Sequence, residues 1–166
     1  NHFVVGGAST AKNTIYYSSS IDPDSFSGSG AGSIALTDAV VGLASFRSDL
    51  IIFCQNSIFK LSNISDSDNI AIIPITRNVG CIAGQSIQEI GGDLLFLSPD
   101  GIRTIAGTAR IGDVELSSVS RQIQKITSVI ASNVNSLIIS SGILRSKSQY
   151  RLFYTNVNKT NIITMI

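Results

Sequence analysis

Asp49-Leu50-Ile51-Ile52-Phe53-Cys54-Gln55-Asn56-Ser57-Ile58-Phe59-Lys60-Leu61 is answered, 44 residues later (93 minus 49), by Asp93-Leu94-Leu95-Phe96-Leu97-Ser98-Pro99-Asp100-Gly101-Ile102-Arg103-Thr104-Ile105. The two stretches align without a gap, and the match runs upstream, with Leu43 on Ile87 and Phe46 on Ile90. Self-similarity at this period marks stacked supersecondary units. Each unit has a polar corner (Arg47-Ser48 or Gly91-Gly92), an apolar strand, a tight turn and a return strand. In Ser98-Pro99-Asp100-Gly101 the proline presets φ at the second place of a type I turn and the glycine tolerates the exit. Leu50 to Cys54 and Leu94 to Leu97 are apolar on consecutive residues, whereas a strand wetted on one side alternates, so both faces of these strands must be covered. Four short strands at 40–46, 50–54, 58–61 and 70–75 precede a restart at Cys81. The expected fold is therefore mainly β, with propeller-like four-stranded antiparallel blades stacked face to face. A β-sandwich is the alternative; it accounts for the strands but not for the repeat.

Further candidate strands lie at 3–5, 14–17, 81–90, 94–98, 102–106, 134–140, 150–155 and 161–166. A weaker third copy of the unit begins at Tyr150-Arg151-Leu152-Phe153-Tyr154-Thr155. Helical period occurs at Val119, Ile123, Ile126 and Ile130, with polar Ser120, Arg121, Gln124 and Lys125 between them, which predicts a short helix over about 117–130. The expected organisation is one β-rich domain over 1–166, or a fragment of a larger propeller. It has blade-like repeats at about 40–78 and 80–110 and a partial blade at about 134–166. A closed propeller takes about four to eight blades. The chain opens on Asn1-His2 and runs out in apolar Ile162 to Ile166, which leads to the expectation of a fragment or processed product.

Of 166 residues, 43% are hydrophobic, enough for a packed core, and only 14% are charged, against a usual quarter or so. Ile, Val and Leu total 47, of which 26 are Ile, and such β-branched runs broken by Ser, Gly and Asn favour strands. A net charge of +1 excludes broad electrostatic attraction for phosphate. No apolar run approaches the roughly 20 residues of a membrane-spanning helix, and the first residues carry no secretory-signal pattern.

Side chains for chemistry are sparse. His2 is the sole histidine and sits at the start, which disfavours Ser-His-Asp, Cys-His and multi-histidine metal sites. Cys54 and Cys81 fit no metal spacing and are expected as buried thiols, with pairing across adjacent strands as the lesser alternative. Asp49 and Asp93 occupy equivalent corners and are expected to hydrogen-bond locally rather than act as a glycosidase pair. The Gly-rich stretch 27–33 leads into β-like Ile34-Ala35-Leu36 rather than a helix and is expected as a flexible loop, not a phosphate cradle. Asp66-Ser67-Asp68-Asn69 lacks the acidic twelfth residue of a calcium loop, Arg77 standing there, and is expected as a polar turn. The triplets at Asn63 and Asn158 are expected as chance matches to a glycosylation signal. Tyr16, Tyr17, Tyr150 and Tyr154 can stack on sugars or bases, but their strand positions favour packing. Arg103 and Arg110 are candidates to touch DNA or a neighbouring subunit, with solvated surface as the ordinary expectation. No cofactor and no metal are expected.

Thr14-Ile15-Tyr16-Tyr17-Ser18, Asp22-Pro23-Asp24-Ser25-Phe26, the segment 43–61, and Gly80-Cys81-Ile82-Ala83-Gly84-Gln85-Ser86-Ile87 leading into Phe96-Leu97-Ser98-Pro99-Asp100-Gly101-Ile102 occur in an order that resembles the propeller region of bacteriophage tail nozzle proteins, also called tail tubular protein B of short-tailed phages. The similarity covers about residues 13 to 130 in spaced pieces; the chain is several times shorter than members of that family. The resemblance implies a non-enzymatic virion structural protein in the phage tail. It implies assembly as a homo-oligomeric ring, usually a hexamer, that forms part of the DNA exit channel, with the head-to-tail adaptor and tail fibre proteins as partners and transient, non-specific contact with phage DNA. Tyr16, Tyr154, Arg103 and Arg110 are the candidate interface or DNA-facing residues. The alternative is a carbohydrate- or receptor-binding module of a phage tail, resting on the tyrosines and the loops 18–33 and 62–69. A glycan-degrading propeller enzyme is the third expectation and has no visible machinery.

Overall fold

A computed structural model describes residues 2–64, 66, 69–106, 124–156 and 162–165. Within them the chain is mainly β, folded into four antiparallel sheets, each a meander in chain order. Sheet I holds β1 (Val4–Ala8), β2 (Ala11–Tyr17) and β3 (Gly32–Ala35). Sheet II holds β4 (Val40–Phe46), β5 (Asp49–Cys54), β6 (Ile58–Ser62) and β7 (Ala71–Thr76). Sheet III holds β8 (Gln88–Ile90), β9 (Asp93–Ser98) and β10 (Gly101–Thr104). Helix α1 (Gln124–Ser132) precedes sheet IV, made of β11 (Leu137–Leu144), β12 (Gln149–Asn156) and β13 (Ile162–Met165).

The repeat read from the sequence is a repeat of register. Phe46 pairs with Asp49, Ile51 with Lys60 and Phe53 with Ile58 in sheet II. Ile90 pairs with Asp93, Leu95 with Thr104 and Leu97 with Ile102 in sheet III, each pair shifted by 44. The two acidic corners do equivalent work. Asp49 accepts a hydrogen bond from the Ser62 hydroxyl at 3.1 Å and pairs with Lys60 at 3.2 Å. Asp93 accepts from the backbone N–H of Ala106, again 13 residues on, at 3.1 and 3.2 Å. Asp49 thereby ties the return strand of its hairpin, and Asp93 the residue just past the end of its own, to the corner where the hairpin began.

Side chains alternate across a strand, so an all-apolar central strand offers one row to each neighbour. Ile52 and Cys54 pack with Ile15 and Leu36 of the sheet I side, while Ile51 and Phe53 pack with Leu94 and Phe96 of sheet III. Leu95 and Leu97 of β9 turn the other way, onto Ile130 of α1 and Ile139 and Leu152 of sheet IV. The four sheets are thus joined in series by three apolar interfaces. Phe53 and Phe96 are both fully buried with ring centroids 5.2 Å apart. Such burial contributes about 2 to 3 kcal/mol per ring, and the ring pair about 1 kcal/mol more.

Several expected boundaries shift. The segment 81–90 is not one strand: a 3-10 turn at Gly84–Ser86 precedes β8. There the Ser86 hydroxyl donates to the Ala83 carbonyl at 2.6 Å and accepts from Leu97 N–H at 2.9 Å. The strand expected at 102–106 stops at Thr104, and that expected at 134–140 opens with a 3-10 turn at Val134–Ser136. The helix is seen from Gln124 to Ser132, with 117–123 outside the described residues. Its buried positions are Thr127 and Ile130, while Ile126 stays 44% exposed, so the expected apolar stripe is only partly used. Four strands occur in sheet II alone among the described residues, and sheet I organises a region with no expected blade.

The crossing from sheet II to sheet III runs against the β5–β6 turn, where Cys81 N–H donates to the Cys54 carbonyl at 2.8 Å. A Cβ on Gly80 would lie 2.1 Å from the Gln55 carbonyl oxygen, a backbone atom that cannot swing aside. Gly80→Ala is expected to cost at least about 3 kcal/mol. Gly142→Ala, where an added Cβ meets nothing within 4 Å, should be neutral or up to about 1 kcal/mol stabilising. Urea titration of the two variants checks this, and equal losses would refute the crossing geometry.

Candidate functional site

The candidate residues do not converge. Arg103, expected at the surface, is instead 2% exposed, in the ladder opposite Phe96. Its position follows from the Pro99-Asp100 turn, which brings the Asp100 carboxylate back over β10. Nε of Arg103 donates to one carboxylate oxygen at 2.8 Å, Nη2 pairs with the other, and the Ser98 hydroxyl adds a third bond at 2.9 Å. This two-pronged geometry satisfies a buried guanidinium, and it leaves Arg103 unable to reach DNA from this chain. Burial pushes the Asp100 pKa up, but the hydrogen bonds from Arg103 and Ser98 together with the Arg103 charge outweigh it and hold the carboxyl below its ordinary value. Arg110 lies outside the described residues.

Tyr154 packs into the apolar interface between sheets III and IV, as its strand position led one to expect, alongside Tyr150. Tyr150 donates its hydroxyl to the Ser86 carbonyl at 2.8 Å across that interface, and burial raises its pKa. Tyr16 is half-buried on the opposite face of β2 from buried Ile15, paired with Val5 and Ser33. Tyr17, two positions from Ile15 on its face, makes an edge contact with His2 at 6.0 Å.

Two concavities escaped sequence reasoning. A groove of about 450 Å³ between sheets I and II is lined by Tyr17, Ile34, Leu36, Phe59 and Ile72, with Arg77 also on its wall. A cleft of about 120 Å³ lies between the β5–β6 turn and the β9–β10 turn, bounded by Gln55, Asn78, Gly80, Asp100 and Arg103. Their lining residues are up to 60 positions apart in the chain, so only the stacking of sheets brings them together.

Both thiols are free and buried. Their backbones meet, yet Cys54 belongs to the sheet I–II interface and Cys81 to the sheet II–III interface, so the side chains diverge. Burial, reinforced by the Asp38 charge and opposed by a bond from Ser57, pushes Cys54 up to about 12. Burial pushes Cys81 up to about 11 against bonds involving Ala83, Ser86 and Leu97. Neither is a thiolate near neutrality. The Gly-rich loop is held by backbone bonds and by the Ser19 hydroxyl, which donates to the Ser29 carbonyl at 2.9 Å; it leads into β3 rather than a helix. Asp66 and Asn69 form the expected polar turn, with 67 and 68 outside the described residues. Among the described residues no group of three or more potential metal ligands occurs, and no helix is long and apolar enough to cross a membrane. No protein-family model matches the chain, and no curated protein matches it in sequence.

Asp100→Asn is expected to destabilise by about 2 to 3 kcal/mol, because it strands a buried guanidinium, whereas Arg103→Met leaves a hydrated carboxylate and should cost about 1 kcal/mol. A depressed folded pKa adds stability above the unfolded value and loses it as pH falls through the folded one. Wild-type stability should therefore decline below the usual carboxylate value near 3.8 more steeply than that of Asp100→Asn. Chemical denaturation across pH measures both; equal costs or parallel pH curves would count against the pair. Ellman's reagent at pH 8 should label neither cysteine in the folded chain and both after denaturation, and prompt native labelling would contradict the burial.

Proposed function

We propose that this chain is a non-enzymatic structural component of a phage tail, of the nozzle type, built on propeller-like blades. The observation that carries the proposal is the serial stack of meander sheets whose registers recur at 44 residues. A second observation supports the blade arrangement. Sheet II and the segment that enters sheet III come close beside β4: a Cβ on Gly42 of β4 would lie 2.5 Å from the Ile87 side chain, and one on Gly84, in the turn before β8, would lie 2.4 Å from the Val41 carbonyl. Small residues at Gly42 and Gly84, on and just before the first strands of two successive sheets, suit sheets that converge on an axis.

Charge supports a passage for DNA. β1, β4 and β11 contain no Asp, Glu, Lys or Arg, and β8 contains only Glu89. A wall that holds few fixed cations displaces few counterions and does not trap a sliding polyanion. Assembly as a ring, a hexamer by the resemblance, against the head-to-tail adaptor and tail fibres completes the proposal. The carbohydrate-binding alternative loses support from Tyr154, whose ring is packed against the neighbouring sheet.

Immunogold labelling and mass spectrometry of purified virions test the proposal. Label at the tail tip is expected; a soluble protein that never sediments with particles would overturn it.

A further inference from the structure

Sheet I stops one strand short. Sheet II ends on a fourth strand, β7, whereas the chain passes from β3 to β4 through residues 36–39 alone, and among the described residues no strand pairs with the other edge of β3. The two sheets stack from their first strands: a Cβ on Gly7 of β1 would lie 3.0 Å from the Val40 carbonyl oxygen of β4. The place left open beside β3 therefore lies over β7. Phe59 and Leu61 of β6 are covered, at 5% and 2% exposure, while on β7 Ile72 is only half-buried and Pro74 is exposed. Both line the groove of about 450 Å³, together with Tyr17, Leu36 and Phe59.

The edge itself is ready to pair. Leu36 N–H donates to the Asn13 carbonyl at 2.7 Å, so Leu36, and with it Ile34 and Gly32, direct their backbone groups at β2. Ser33 and Ala35, between them, aim N–H and C=O outward; both are exposed, and these groups bond nothing among the described residues. Edge strands are ordinarily blunted by Lys, Pro or a bulge. β7 carries Pro74, but Gly32-Ser33-Ile34-Ala35 holds neither charge nor proline and keeps an unbroken register with β2.

The charge at one end of the groove selects the occupant. β3 runs toward Asp38, whose carboxylate is engaged at the β5–β6 turn, accepting from Asn56 N–H at 2.6 Å and the Ser57 hydroxyl at 3.0 Å. β7 ends beside the same turn, with Thr76 paired to Ile58. Arg77, next in the chain and on the groove wall, is exposed there and forms no ion pair among the described residues.

We propose that an extended segment of a partner protein adds to sheet I as its fourth strand, antiparallel to β3. Apolar side chains at alternate positions of that segment seat on Ile72 and Pro74, and an Asp or Glu near its N-terminal end pairs with Arg77. Main-chain bonds to Ser33 and Ala35 supply affinity, and the groove supplies the choice of side chains. Antiparallel addition continues the meander of every sheet in the chain. It also sets the acidic residue first, because a strand running against β3 begins at the Arg77 end. The proposal goes beyond the tail assignment and is independent of it, resting on the edge of β3 and the groove beside it.

Panning a displayed library of short random peptides against the 166-residue chain tests it, with the affinities of enriched peptides read by fluorescence polarisation. Enriched sequences should alternate apolar and polar residues behind an Asp or Glu. Ala35→Pro removes an N–H that β2 does not use, so it should leave stability to urea unchanged and weaken binding at least about tenfold, the effect of one lost hydrogen bond. Methylating alternate amide nitrogens of the peptide, which leaves the protein untouched, should do the same. Arg77→Glu should weaken binding by a similar factor, and Arg77→Lys should keep most of it. No enrichment over the unselected pool, peptides indifferent to Ala35→Pro and amide methylation, or peptides indifferent to Arg77→Glu would each overturn the proposal. So would a second copy of the chain as the occupant, seen in sedimentation as a dimer that Ala35→Pro dissociates. Tail localisation stands or falls separately, on the virion labelling.

Discussion

The structure depends on one constraint: β5 and β9 carry apolar side chains on both faces, and neither face can be left in water. A two-layer arrangement covers one side of each sheet. Covering both sides of two successive sheets requires a sheet before and a sheet after, and the chain supplies them in order, I to IV. The tight crossing at Gly80 and the close approach of Gly84 to β4 follow from bringing consecutive meanders face to face with short connections.

What was legible in the sequence was local. Hairpins announce themselves through turn chemistry and apolar runs within a dozen residues, so β4 to β7 and the β9–β10 hairpin stand where the pattern put them. Asp49 and Asp93 were readable for the same reason, since each bonds a group 13 positions away in its own hairpin. The misses depend on distant contact. The Gly84–Ser86 turn exists because the Ser86 hydroxyl meets Leu97 and the backbone there lies against Val41, neither of which leaves a mark on 81–90 itself. Arg103 looked like a surface cation because its class is usually solvated; a carboxylate three residues earlier turned back over it and made burial tolerable.

The same geometry governs which groups are chemically available. Both cysteines and Tyr150 sit in interfaces between sheets, where low polarity opposes their charged forms. Asp100 is the contrary case, held ionised by a cation that has nowhere else to go. The candidate residues Tyr154 and Arg103 are therefore elements of cohesion, and Tyr16 stands half-buried on the face of β2 opposite Ile15.

Because each sheet is a self-contained meander joined chiefly to its immediate neighbours, the chain resembles a one-dimensional array with nearest-neighbour coupling. Cooperativity in such an array is graded: the middle sheets are clamped from two sides and are the last to exchange their amide protons, while the outermost fray first. Ordering can nucleate at the II–III junction, where Phe53 meets Phe96, and spread in both directions without a long loop having to close beforehand.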